Sequence, residues 1–238
     1  MQASSIGYPL WWDVPAGRKD GNISLASNIP GNLPPPTFNV TQLTQIFATK
    51  GLSQDEMVTL SSILLALQII NMSILVDDNN GSAKAFVQYN HVCVVCANAG
   101  AHTIGVSHCS SFVARLYNFN GSNKMDPSLD PTYAQILKQG CPQGSPSNVN
   151  TNVFMDPDTP LTLDNVYYDE VIANRGLFTS DATLLTDPNT KSSVTANSGL
   201  NLVGWQKEFA AAMIKMGEII VLTGNQGGVR ANCRVANS

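Results

Sequence analysis

The sequence predicts a mainly α-helical fold whose helices are joined by long loops. Apolar residues recur at helical spacing in several separate stretches, start and stop signals frame them, and alternating strand-like patterns are scarce. Residues 1–40 read as irregular, because Pro9, Pro15, Pro30 and the Pro34-Pro35-Pro36 run each fix a backbone angle and remove a donor. Thr41–Thr49 then carries Leu43, Ile46 and Phe47 on one helical face and ends at Lys50-Gly51, a C-cap signal. Ser53-Gln54-Asp55-Glu56 is a capping box with acid in the first turn. The helix it starts places Met57, Leu60, Leu64 and Leu67 on one face and is expected to continue into the apolar stretch Ile63–Val76. Asp77-Asp78-Asn79-Asn80-Gly81 reads as a turn, and the valine-rich Phe86–Cys96 as a short strand. Ser107–Phe119 shows a helical stripe of Phe112, Val113, Leu116 and Tyr117, and Thr132–Lys138 a short helix before Gly140-Cys141-Pro142. Val166–Ala173 and Trp205–Met216, the second capped by Gly217, complete the expected helices.

A chain of 238 residues with a hydrophobic fraction of 43% can bury a sizeable core, as one large or two small domains. Charged residues make up only 13% and the net charge is -4, which gives no basis for a nucleic-acid or anionic-membrane partner. Ile63–Val76 is interrupted by Gln68, Asn71 and Ser73 and falls short of the about 20 apolar residues that a bilayer span needs. A buried helix is the expectation there, and no membrane insertion. Met1–Asp20 has no basic segment followed by an apolar one, so no signal peptide is expected in this chain. Against that, sequons at Asn22, Asn39, Asn71 and Asn120 would be usable only in the secretory pathway, where a chain poor in charge and rich in Asn, Ser and Thr also fits. Of the five cysteines, Cys93 and Cys96 form a CxxC with no second pair or paired histidines at zinc spacing.

Several stretches, in order, resemble the class III secretory plant haem peroxidases. Val14-Pro15-Ala16-Gly17-Arg18-Lys19-Asp20-Gly21 is similar to that family's VPLGRRDG segment, and Asn32-Leu33-Pro34-Pro35-Pro36 to its NLPxP. Lys50-Gly51-Leu52 with Met57-Val58-Thr59-Leu60-Ser61 resembles the lead-in to the proximal helix, and Gly100-Ala101-His102-Thr103-Ile104-Gly105 with Cys109 the proximal haem motif. Leu163-Asp164-Asn165 with Tyr167-Tyr168, Gly176-Leu177-Phe178 with Ser180-Asp181, and Leu222-Thr223-Gly224 through Arg230 to Cys233 complete the set. The resemblance covers the chain apart from the first dozen residues and roughly Ser62–Ala99.

The resemblance implies haem b and calcium as cofactors. It makes His102 the axial iron ligand and Asp181 the buried carboxylate that accepts from its other ring nitrogen, lending the imidazole the anionic character that supports oxidised iron. It implies a calcium site from Thr103, Asp156, Thr159, Thr162 and Asp164, a set of hard oxygen donors drawn mostly from one loop. It assigns Pro34 to the edge where aromatic donors bind, and pairs Cys109 with Cys141, leaving Cys233 without its family partner. Hydrogen peroxide and small phenolic donors are the implied substrates, and secretion or the vacuole the implied location. His91 and His108 are expected to be structural or exposed, and nothing is assigned to Ser111 or Phe112.

Two departures qualify the resemblance. Peroxide cleavage in the family uses an Arg-x-x-x-His pair on one helix, and the arginines at 18, 115, 175, 230 and 234 are followed four residues on by Asn22, Phe119, Thr179, Arg234 and Ser238. No catalytic distal Arg/His is therefore expected here, and the expected architecture is the proximal, C-terminal lobe of the peroxidase fold with the distal lobe missing. Second, residues 62–99 separate two stretches that are continuous in the family, and their composition fits a translated retained intron, the alternative being a real insertion with its own role. The expected organisation is a peroxidase-like segment over 1–61, a non-family insertion over 62–99, and a haem- and calcium-binding lobe over 100–238, with His102 losing the helix that presents it. Two readings follow: a peroxidase oxidising phenolic donors, or an inactive truncated remnant that keeps calcium and possible haem binding.

Overall fold

Ser53 opens a helix as the capping box predicts. In the structure, a computed structural model that describes residues 2–4, 9–13, 15, 17–23, 25, 27, 30–61 and 102–232, its hydroxyl accepts from Glu56 N at 3.1 Å and its own N–H donates to Glu56 Oε2 at 2.7 Å. That helix, α2 (Gln54–Leu60), follows α1 (Val40–Thr49). The turn between them relies on Gly51, whose φ of 78° is left-handed backbone that suits glycine. α1 has a second capping box, in which Asn39 and Gln42 exchange side-chain and backbone bonds at 3.0 Å. The expected continuation of α2 into Ile63–Val76, the turn at Asp77–Gly81 and the strand at Phe86–Cys96 lie outside the described residues, as do Asn71, His91, Cys93, Cys96 and Cys233.

Beyond residue 101 the chain forms a strand β3 (Val106–His108), a 3₁₀ turn (Cys109–Ser111), and helices α3 (Val113–Tyr117) and α4 (Pro131–Gly140). A strand β4 (Asn152–Phe154) follows, then helices α5 (Val166–Ile172), α6 (Thr179–Ala182), α7 (Pro188–Asn197) and α8 (Leu202–Met216). Near the N-terminus β1 (Gln2–Ser4) pairs antiparallel with β2 (Pro9–Trp11). The fold is thus mainly helical with small two-stranded sheets. The stripe read over Ser107–Phe119 does not become one helix. β3 instead pairs antiparallel with β4, Val106 opposite Phe154, and Cys109 N donates to Thr151 O at 3.0 Å. This partner, over forty residues away, outweighs the local helical preference, and only α3 remains helical. α7 was not expected, because its inward residues Thr190, Val194 and Asn197 form too polar a stripe to stand out. Its start is marked nonetheless: Asp187 Oδ1 accepts from Asn189 N and Thr190 N at 3.0 and 3.1 Å, with Pro188 at the first helical position.

Two apolar clusters form the interior. The first gathers Leu43 and Phe47 of α1, Met57, Val58 and Leu60 of α2, Tyr167 and Tyr168 of α5, and Trp205 and Phe209 of α8. Here α2 lies against α7 and α8, and Tyr168 donates its hydroxyl to the carbonyls of Val58 and Thr59 at 3.1 and 3.0 Å. The second surrounds a Cys109–Cys141 disulfide with Phe112, Leu116, Tyr133, Leu137, Met155, Leu177 and Phe178. That bridge closes a separation of 32 residues, and cross-links of that span contribute on the order of 3–4 kcal/mol.

Glu170 is fully buried on α5 and paired with Arg175, which also reaches Asp158 at 3.1 Å. Burial pushes its carboxyl up to about 7; Arg175 opposes this, while Asp158 and Asp156 add to it. The folded chain therefore holds a proton that the unfolded chain releases near its ordinary value of 4.5, so stability falls as pH rises between those two values. Glu170→Gln should remove this slope. Thermal melts of parent and variant from pH 5 to pH 8 test it, and parallel curves would count against the assignment.

Candidate functional site

His102 lies in a turn rather than in a helix and is 2% exposed. Its Nδ1 stands 2.8 Å from Asp181 Oδ1, itself on a residue 2% exposed. The distance is that of a hydrogen bond, but the ring N–H does not point along it; turning the imidazole in place would complete the bond. Tyr167, on α5, and Phe178, just ahead of α6, both meet the imidazole edge-on, with ring centroids at 5.3 and 5.2 Å. Tyr167 belongs to the first apolar cluster and Phe178 to the second, so His102 sits at the seam between them.

Asp181 is the third residue of α6, and its Oδ2 reaches back to accept from Phe178 N at 2.8 Å. Its Oδ1 accepts from the Tyr167 hydroxyl at 2.9 Å. Burial, the largest influence, pushes this carboxyl up, but His102, the Phe178 amide and the Tyr167 hydroxyl together hold it below its ordinary value. Tyr167 remains a hydroxyl donor, because burial and the neighbouring Asp181 push it well above the ordinary phenol value. The arrangement presents an imidazole whose Nδ1 stands at hydrogen-bond distance from a carboxylate, which leaves Nε2 as the nitrogen able to ligate a metal.

Thr103, the next residue, heads a second convergence of oxygens. Its hydroxyl lies 3.2 Å from Thr162 O, 3.0 Å from Asp164 O and 3.3 Å from Asp164 Oδ1. Thr159 Oγ1 lies 3.2 Å from both Asp156 Oδ2 and Asp164 Oδ1. Burial above all raises both carboxyls: Asp164 adds to the effect at Asp156, and Asp169 to that at Asp164, against hydrogen bonds that oppose it. One buried acid, Asp156, and one half-buried acid, Asp164, surrounded by neutral oxygens form a donor set suited to a hard cation. Among the described residues no three His, Cys, Asp or Glu side chains gather to hold a metal; the set here has two acids, and the rest is hydroxyl and carbonyl.

The expected site residues thus fall into two adjoining groups, His102 with Asp181, and Thr103 with Asp156, Thr159, Thr162 and Asp164. Pro34 is buried in the segment ahead of α1; two residues on, the Pro36 carbonyl accepts from Ser180 N at 3.0 Å, which ties that segment to α6. Cys109 and Cys141 are bonded as expected, and His108 is exposed. Tyr167 and Phe178 were quoted in the sequence only as parts of motifs. Their work on Asp181 and His102 depends on packing between distant elements, which spacing does not reveal.

A sequence model of the family described as peroxidase matches residues 1–199. Peroxidase 5 of Vitis vinifera is 52% identical over 229 residues, which is 96% of this chain and 57% of that protein. Peroxidase 3 of Arabidopsis thaliana is 42% identical over 228 residues, covering 95% and 58%. Peroxidase 1 of Arabidopsis thaliana is 36% identical over 234 residues, covering 98% and 59%. The chain therefore spans a little over half the length of these curated relatives.

Asp181→Ala would strand the Tyr167 hydroxyl and the Phe178 N–H in the interior, at a cost of about 1–3 kcal/mol for each donor left unpaired. The stabilisation from Asp181 is full above the ordinary carboxylate value and is lost as pH falls through its lowered folded value. Urea unfolding of the parent and Asp181→Asn should accordingly show a stability gap that narrows below about pH 4. A gap independent of pH would contradict this account of the carboxylate.

Proposed function

This chain belongs to the class III peroxidases of plants, and on that premise we propose that it forms the haem-holding, proximal side of a hydrogen-peroxide-dependent oxidoreductase of phenolic donors. The observation that carries this reading is the buried His102–Asp181 pair, 2.8 Å apart, gripped by Tyr167 and Phe178. The fit is chemical: an imidazole whose Nδ1 is held by an ionised carboxylate is a strong neutral donor at Nε2. Haem b, when bound, supplies the redox chemistry by which peroxide is reduced to water while two phenols each give up a hydrogen atom. Asp181 keeps the Nδ1 proton in place and orients the ring, Tyr167 and Phe178 restrict its rotation, and the surrounding core keeps water from the pair.

Thr103, Asp156, Thr159, Thr162 and Asp164 are the proposed calcium ligands. Bound calcium would neutralise two carboxylates that burial otherwise disfavours, and would tie Thr103, hence the turn that carries His102, to the loop. A secreted or vacuolar location fits the family. In support, the sequon residues Asn22, Asn39 and Asn120 are exposed, and the cap made by Asn39 uses Oδ1, leaving Nδ2 for a sugar. No helix among the described residues is long and apolar enough to cross a membrane. Pro34 is proposed to border the phenol-binding edge.

A second reading is favoured by one specific feature: this 238-residue sequence contains no Arg-x-x-x-His pair. Shuttling the peroxide proton and stabilising the departing oxygen each contribute roughly 10²–10³-fold or more in enzymes that have such groups. The polypeptide as it stands is then a calcium-binding, haem-ligating unit without turnover of its own. Guaiacol oxidation by the haem-reconstituted chain should not exceed that of free haemin at equal iron. Turnover far above haemin would overturn this second reading, and a reconstituted His102→Ala variant with the parent's spectrum would overturn the first.

Calcium should raise the melting temperature of the parent, and Asp164→Ala should diminish that rise. If a chelator leaves the parent's melting temperature unchanged, the calcium assignment is wrong.

A further inference from the structure

Arg115, on α3, is 3% exposed and carries no part of the site described so far. A buried guanidinium is costly unless its charge is balanced and its donors are used. Its Nε donates to Asp126 Oδ2 at 2.7 Å, and its Nη2 to Ser128 Oγ at 3.3 Å. Asp126 is locked in turn: its Oδ1 accepts from Ser128 N and Ser128 Oγ at 2.8 and 2.7 Å, and its N–H donates to Arg115 O at 2.8 Å. The charge is therefore balanced by Asp126, a carboxylate other than His102's own partner.

The remaining donors are used in an unusual way. Nη1 donates to the carbonyls of three successive residues, Gly176 at 2.7 Å, Leu177 at 2.9 Å and Phe178 at 2.8 Å. Three consecutive carbonyls can converge on one nitrogen only if the backbone curls around it, so the guanidinium acts as the former on which this turn is shaped. The turn leads directly into α6. Phe178 gives its ring to His102 at 5.2 Å and its N–H to Asp181 Oδ2 at 2.8 Å. The opposite side is equally tight: a Cβ added to Gly176 would lie 2.6 Å from Asp181 Cβ. The position of the Asp181 carboxylate is thus bounded by Arg115 through the turn and by Gly176 directly.

We propose that Arg115, held by Asp126, is a positioning residue for the His102–Asp181 pair, setting through the Gly176–Phe178 turn how closely the carboxylate engages Nδ1. This rests on the reading of His102 as the iron ligand. Because Asp126 balances the guanidinium, the effect on His102 is geometric rather than that of a bare positive field. Lysine cannot substitute: an ammonium is a point charge with three donors, and cannot span Asp126 and three carbonyls as a planar fork does.

The test uses the haem-reconstituted full chain with Arg115→Lys, Asp126→Asn and Gly176→Ala, compared with the parent and Asp181→Asn. Two properties are read: the iron–imidazole stretching frequency by resonance Raman, and the Fe(III)/Fe(II) reduction potential. Arg115→Lys and Gly176→Ala are expected to lower the stretch and raise the potential, in the direction of Asp181→Asn, with Asp126→Asn shifting both the same way by less. In the Asp181→Asn background, Arg115→Lys should add no further shift. The proposal is overturned if Arg115→Lys lowers only the melting temperature, or if its shift is fully additive with that of Asp181→Asn. Should Arg115→Lys not fold, Asp126→Asn and Gly176→Ala decide, and parental values for both overturn it. A His102→Ala chain that keeps the parent's haem spectrum would instead refute the ligand reading beneath it.

Discussion

An ionised carboxylate in a protein interior must be surrounded by donors, and the described part of this chain is organised to give Asp181 that company. Burial alone would raise the group and neutralise it. Three donors prevent that, and each comes from a different part of the chain: Tyr167 from α5, the Phe178 amide from the turn before α6, and His102 from the turn that begins beyond residue 101. Tyr167 and Phe178 belong to separate apolar clusters. Satisfying one carboxylate therefore brings the two clusters together around the imidazole. The hydrophobic surface supplies most of the driving force, but the carboxylate determines the register in which the two halves meet.

Much of the fold was legible locally. Capping boxes, the Lys50-Gly51 stop and the apolar stripes of α1, α2, α5 and α8 depend on residues three or four apart, and those readings survive in the structure, for α2 over Met57 and Leu60, the described part of its stripe. What failed to show is long-range or polar. The Ser107–Phe119 stripe is real, but β4 captures its first residues, and no local pattern announces a partner so far along the chain. α7 is held by its Asp187 cap and by contacts such as Asn197 with Thr59 at 3.4 Å, not by an apolar face. The site divides the same way. His102, Asp181 and the oxygen-rich loop stood out as motifs, whereas Arg115 was noted only as an arginine with no histidine four residues on, because its importance lies in three carbonyls some sixty positions away.

The two site groups are mechanically one, because Thr103 follows His102 directly. Its hydroxyl is shared among Thr162 O, Asp164 O and Asp164 Oδ1, so the loop and the histidine turn cannot move independently. Asp156 and Asp164 are both raised by burial, so charge in the loop comes at a cost that a cation would offset. Stabilisation that a cation gave the loop would in this way be passed to the turn beside it, without any direct contact between cation and imidazole being required.

The position of residues 62–101 in the chain bears on how robust this arrangement is. Every described contact of His102 and Thr103 is made with residues that follow them: Asp181, Tyr167, Phe178, Thr162 and Asp164. No residue of α2 (Gln54–Leu60) is among these described partners. Lengthening a connection costs little, since the entropy of closing a loop grows with the logarithm of its length, about 0.6 kcal/mol for each doubling. Against this stand a buried carboxylate with three donors and two ring contacts, each worth about a kilocalorie or more. The balance favours a histidine turn specified by its partners, Asp181, Tyr167 and Phe178.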